Sequence, residues 1–70
     1  MRISARNALR GTIRSIVPGA VNSEITLELP DGQQIVSVIT KRSVESLGLK
    51  VGDRAYAVIK ASEVMIGVDE

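Results

Sequence analysis

Residues 21–40 read VNSEITLELPDGQQIVSVIT, and the fold is decided here. From Val21 to Leu29 the residues alternate. Val21, Ser23, Ile25, Leu27 and Leu29 fall on one face, and Asn22, Glu24, Thr26 and Glu28 on the other. A period of two with one polar face marks a strand that packs on one side and meets water on the other. Pro30-Asp31-Gly32 follows, and Asp-Gly supplies the positive φ that a tight hairpin needs. The chain resumes as Ile35 to Thr40, where Ile35, Val36, Val38 and Ile39 put apolar groups on both faces.

Upstream, Leu9 to Val17 reads as a partner strand. Leu9, Gly11, Ile13 and Val17 share a face, while Arg10, Thr12 and Arg14 point the other way, towards Glu24 and Glu28 across the ladder. Downstream, Lys41 to Leu47 reads as a short helix. Thr40 can cap it through its hydroxyl, Val44 and Leu47 share a face three residues apart, and Gly48 suits the left-handed position that ends it. Ala55 to Ile59 and Val64 to Val68 are apolar on both faces and read as two further strands. The expectation is an all-β, five-stranded barrel of the OB type, with one short helix between strands 3 and 4. Strands apolar on both faces need cover on both. Seventy residues, read as one domain (residues 1–70), cannot supply it twice, so the expected molecule is an oligomer.

Composition agrees. A chain of 70 residues buries only ~60% of the surface it exposes when unfolded. It has no Cys, His, Phe or Trp, and Tyr56 is its one aromatic residue. No disulfide or thiolate site can help it, the core must be aliphatic, and a partner subunit is the remaining source of burial. A net charge of +1 gives no general attraction to nucleic acid or membrane. No apolar run approaches a membrane span, and Met1 to Arg6 lacks an apolar signal core, so a cytoplasmic location is expected.

The same inventory weakens catalysis. The usual acid–base residue, His, is missing, and the acids sit mostly on outward faces or turns. No serine has a base near it in sequence, and no Walker-type loop is present. A transition-metal cation would lack His and Cys ligands. Single-strand binding by an OB-type barrel relies on stacked aromatics over a basic groove, and one aromatic in a near-neutral chain makes a poor platform.

Hydrogen-bond donors beside apolar strands remain. Ser4-Ala5-Arg6-Asn7 precedes the first strand, Thr40 and Ser43 open the helix, and Lys60-Ala61-Ser62 interrupts the apolar run from Tyr56 to Val64. Lys60 is awkward in that run unless its ammonium is paired or reaches water. The helix start adds backbone N–H groups and a positive dipole end.

These stretches resemble the molybdate-binding domain of the molbindins, the Mop-like, TOBE-type domain also found at the end of molybdate transporter ATPases and molybdate-responsive regulators. The likeness runs in order through Ile3-Ser4-Ala5-Arg6-Asn7, Gly19-Ala20-Val21-Asn22, Ile39-Thr40 with Ser43-Val44 and Leu47-Gly48-Leu49, Gly52-Asp53, and Lys60-Ala61-Ser62-Glu63-Val64. It implies a binding protein with no catalytic role and no organic cofactor, holding molybdate or tungstate between subunits for storage, buffering or homeostasis. By the same resemblance the assembly is a hexamer, a trimer of dimers. Ser4, Arg6, Thr40, Ser43, Lys60, Ala61 (through its N–H) and Ser62 would hold the oxyanion, and Ala20, Val21 and Asn22 a second one near a threefold axis. Two other functions stand beside it: an oxyanion-sensing domain acting on a partner protein, and a single-strand nucleic-acid binder.

Overall fold

The computed structural model describes residues 1–70. Strand β1 spans Asn7–Pro18, β2 Asn22–Glu28, β3 Gln34–Thr40 and β4 Arg54–Ile59; helix α1 spans Lys41–Leu47, and a single 3₁₀ turn, Ala61–Glu63, follows β4. The strands form one antiparallel sheet in the order β3-β2-β1-β4. β1 is long enough to serve two partners: Asn7 to Thr12 pairs with β4, and Thr12 to Pro18 with β2.

β1 bends where it changes partners. Ile13 faces Leu27 and Ser15 faces Thr26, which leaves Arg14 as the extra residue of a bulge. One inserted residue sends every later side chain to the opposite face. Ile16, not Val17, therefore turns inward opposite Ile25, and Val17 is exposed, correcting the expected strand face. The bulge and the strand it bends curl the sheet into an OB-like half-barrel. The bend also needs Gly11: a Cβ there would lie 2.6 Å from the Glu28 carbonyl oxygen and 2.8 Å from Leu27 Cγ.

The hairpin between β2 and β3 closes as the Asp-Gly pair requires. Gly32, at φ +91°, donates its N–H to the Leu29 carbonyl at 2.9 Å, and Asp31 Oδ1 accepts from the Gln33 N–H at 3.1 Å. Helix α1 has the expected limits. Thr40 Oγ1 accepts the Ser43 N–H at 3.0 Å, and Gly48 stops the helix at φ +63°, a conformation that costs a residue with a Cβ far more than glycine. After the helix, Gly52 N–H donates to the Ile13 carbonyl and Ile13 N–H to the Asp53 carbonyl, at 2.8 and 2.9 Å, which docks the turn beside the bulge.

The core is small. Ile13, Ile25 and Leu27 are buried, with Ile16, Leu29, Ile39, Val44, Leu49, Ala55 and Ala57 packed around them. Leu47, expected to share the inner face of α1 with Val44, is exposed, and Leu49 beyond the helix end packs on the core in its place. Leu9 is on the inward face but remains 40% exposed where the core runs out.

The expected fifth strand is not formed, so the sheet has four strands. Val64 to Val68 has no ladder partner, and Met65, Ile66 and Val68 are at least 87% exposed. The 3₁₀ turn carries the chain off the sheet directly after β4, and the segment beyond it pairs with neither open edge, β3 or β4. No helix is long and apolar enough to cross a membrane.

Candidate oxyanion site

Asn7 and Ile59 are cross-strand partners, and Asn7 Nδ2 also donates to the Ile59 carbonyl at 3.3 Å. Antiparallel pairing then decides what lies beyond them. The residues before Asn7 run opposite those after Ile59, so Ser4-Ala5-Arg6 faces Lys60-Ala61-Ser62. These six residues line one open cleft of about 380 Å³. The structure thus brings Ser4 and Arg6 together with Lys60, Ala61 and Ser62, a segment more than fifty residues away in sequence.

The chemistry of the cleft is one-sided. Its charged groups are the Arg6 guanidinium and the Lys60 ammonium, and neither is paired with a carboxylate, since the chain's one ion pair is Arg14–Glu28. Lys60 is exposed: it stands at the end of β4, as the residue before the 3₁₀ turn, so its ammonium reaches water. The turn closes with the Glu63 N–H donating to the Lys60 carbonyl at 2.9 Å. The first amides of such a turn, Ala61 and Ser62, precede that bond and keep their N–H groups for another acceptor. With the Ser4 and Ser62 hydroxyls, the lining is a set of donors and cations around a space without an acid.

Thr40 and Ser43 lie elsewhere. Thr40 pairs with Asn22, Lys41 N–H donates to the Val21 carbonyl at 2.8 Å, and Gly19 N–H donates to the Asn22 carbonyl at 2.8 Å. This group, with Ala20, sits beside the Pro18 end of β1, whereas the Lys60 cleft sits beside its Asn7 end. In one chain the seven expected first-site residues therefore split, and Thr40 and Ser43 join Ala20, Val21 and Asn22. The helix start is also less available than expected. Thr40 Oγ1 accepts from the Ser43 N–H and donates its proton to Ser43 Oγ at 2.8 Å, so the free proton of the pair is that of Ser43.

Two further residues shape the cleft beyond those expected from sequence. Ala5 lines it, half-buried between Ser4 and Arg6, and Asn7, just outside it, ties the two segments together. Both belong to the Ser-Ala-Arg-Asn stretch, but their roles depend on a register that sequence does not print. No group of three or more His, Cys, Asp or Glu side chains is arranged to hold a metal cation.

Comparison with known proteins places this geometry in a family. The TOBE domain matches residues 3–66. A probable molybdenum-pterin-binding protein of Haemophilus influenzae is 44% identical over 69 residues, covering 99% of this chain and all of that protein. A molybdate-binding protein from Sporomusa ovata, solved at high resolution, superposes with a TM-score of 0.91 at 38% identity, covering 97% of this chain and all of the other. The cytoplasmic molybdate-binding protein ModG, solved with molybdate bound, superposes with a TM-score of 0.94 at 55% identity; it covers 99% of this chain, which spans 49% of that one. The chain belongs to the TOBE domain family, alongside the Mop molybdenum-pterin-binding proteins.

Proposed function

We propose that the chain, acting as a single domain over residues 1–70, binds molybdate or tungstate, with Ser4, Arg6, Lys60, Ala61 and Ser62 as one wall of the site. One observation carries this reading: two cations without carboxylate partners share a cleft with hydroxyl and amide donors and no acid. Molybdate is a dianion at neutral pH and accepts hydrogen bonds without donating any. A hydrogen phosphate brings its own O–H and finds no carboxylate to take it, only the Ser4 and Ser62 hydroxyls, which would have to accept where molybdate lets them donate, so it is disfavoured. Sulfate has the same charge and shorter bonds, and only donor spacing can reject it. Tungstate is nearly the size of molybdate and binds alike.

Thr40 and Ser43 complete the site only from a second copy, because their own chain holds them at the far end of β1. Assembly has independent support. Val36 and Val38 on β3 and Val58 on β4 are exposed, as is Val64 to Val68. The chain makes 32 backbone–backbone hydrogen bonds, against roughly 50 for a typical domain of this length. A homo-oligomer, built as a hexamer from three dimers, would use these edges and faces, with Ala20, Val21 and Asn22 meeting around a threefold axis as a second oxyanion site. The reading is of a cytoplasmic store or buffer of oxyanion that performs no catalysis, uses no organic cofactor, and engages neither nucleic acid nor membrane.

The test is thermal unfolding combined with native mass spectrometry, with molybdate and with sulfate. A ligand bound only by the folded assembly adds about 2.7 kcal/mol at a hundredfold excess over Kd. Molybdate should therefore raise Tm by several degrees and appear as a fixed number of ions per assembly. Equal shifts with sulfate, or a single chain at every concentration, would sink the proposal.

A further inference from the structure

A second cleft, also about 380 Å³ in volume, opens on the outward face of the sheet and shares no residue with the first. Arg10, Thr12 and Arg14 line it from β1, Glu28 from β2, Pro30 from the hairpin and Arg54 from β4. Thr12 sits at its centre, the cross-strand neighbour of Glu28 on one side and of Arg54 on the other. Three guanidiniums thus surround one hydroxyl with one carboxylate among them.

That carboxylate is committed. Glu28 Oε2 lies 3.2 Å from Arg14 Nε, the one ion pair in the chain. Arg10 lies over the Tyr56 ring, 5.9 Å from its centroid, and Arg54 has no counter-charge. A chain whose net charge is +1 therefore gathers an excess of two positive charges in one concave place. Concave patches of one sign raise the local concentration of counter-ions. Guanidinium forks match phosphate oxygens in paired hydrogen bonds.

The spacing decides the size of the anion. Arg10 and Arg54 stand diagonally across Thr12, two residues along and one strand over, roughly 8 Å apart at strand spacing. That separation is wider than one tetrahedral ion and fits a short chain of them. We infer that this cleft binds a small molecule carrying a chain of phosphates, gripped by Arg10 and Arg54 around Thr12, while Glu28 holds Arg14 extended. Nucleic acid is a poorer occupant, since the patch is short and stands on a near-neutral chain with one aromatic ring.

Inorganic tripolyphosphate is the probe, titrated into the full chain at physiological ionic strength. The fluorescence of Tyr56, the one aromatic residue, reports binding, and calorimetry gives the stoichiometry. One tripolyphosphate should bind per chain. Arg54→Gln and Arg10→Gln should each weaken it about tenfold, the loss of one charge-assisted pair, with unchanged melting of the free protein. Lys60→Gln, at the other cleft, should leave it unaltered, which separates this site from the proposed molybdate site. Orthophosphate binding as well as tripolyphosphate would mean adventitious anion binding and overturn the inference. Undiminished binding by Arg54→Gln, or tighter binding of a polyglutamate peptide, would overturn it too.

Discussion

Asn7 Nδ2 donates to the Ile59 carbonyl at 3.3 Å, at the point where the two chain segments leave their ladder and spread to line the Lys60 cleft. This bond ties together the strand ends from which Arg6 and Lys60 leave the ladder, and on the proposed reading it positions them. Asn7→Ala should remove about 0.5–1.5 kcal/mol of stability. It should also weaken molybdate affinity about tenfold, as for other supports behind a binding group. Calorimetric titration beside a denaturant melt separates the two; a loss of stability with normal affinity would refute the positioning role.

Lys60 is exposed and has no carboxylate partner, so its charge does nothing evident for the free chain. Lys60→Ala should change the stability of the free protein by no more than about 0.5 kcal/mol. Molybdate binding should weaken by about 1.5–3 kcal/mol, the range for a hydrogen bond to a charged group. Arg6→Ala should act in the same direction. Normal molybdate affinity in Lys60→Ala would move the site elsewhere.

Gly11 faces a backbone oxygen across the β1–β2 ladder, and no rotamer change can relieve the 2.6 Å approach of an added Cβ. Gly11→Ala must push β1 from β2 at the bend and should cost about 1–3 kcal/mol, as overpacking does. Chemical denaturation measures it, and a neutral result would mean that the bend is soft.

The sequence carries the β2–β3 hairpin and the helix almost entirely. Alternation from Val21 to Leu29, Pro30-Asp31-Gly32, the Thr40 cap and Gly48 are local signals, and local chemistry decides those elements. The bulge at Arg14 is harder to see, because no Gly or Pro marks it. Its trace is the spacing Ile13-Arg14-Ser15-Ile16, where inward residues fall three apart instead of two. That shift also removes the expected meeting of the arginines with Glu24, which faces Val17, while Glu28 does meet Arg14. Val64 to Val68 has the side chains of a strand, but the 3₁₀ turn takes it off the sheet after β4 and it pairs with neither open edge. The cleft is legible residue by residue and not as an arrangement. Bringing Ser4 to Ser62 depends on register, and the separation of Thr40 from Lys60 depends on which end of β1 each one joins.

Thr40 and Ser43 can be separated experimentally, because the cap uses the Thr40 oxygen and the Ser43 backbone, not the Ser43 hydroxyl. Thr40→Ala should cost about 0.5–2 kcal/mol as a lost helix cap. Ser43→Ala keeps the cap and should leave free-protein stability nearly unchanged. If a second copy brings Ser43 to the oxyanion, Ser43→Ala lowers molybdate affinity alone. Unchanged affinity would remove Ser43 from the site.

Ile66 is 87% exposed between Met65 at 92% and Val68 at 87%, an apolar segment that a lone chain leaves in water. Covering one such side chain is worth about 1.5–3 kcal/mol, so a second copy that buries the segment gains from each of these residues. Ile66→Asp removes that gain and adds a charge that the interface would have to desolvate. The same change touches nothing in the core around Ile13, Ile25 and Leu27, so each separate chain should keep its fold. Native mass spectrometry and light scattering should find smaller assemblies for Ile66→Asp at concentrations where the parent is fully assembled, with the far-ultraviolet circular dichroism of the sheet retained. Assemblies of unaltered size would show that the exposed tail is not what joins the copies, and would shift attention to Val36 and Val38 on β3.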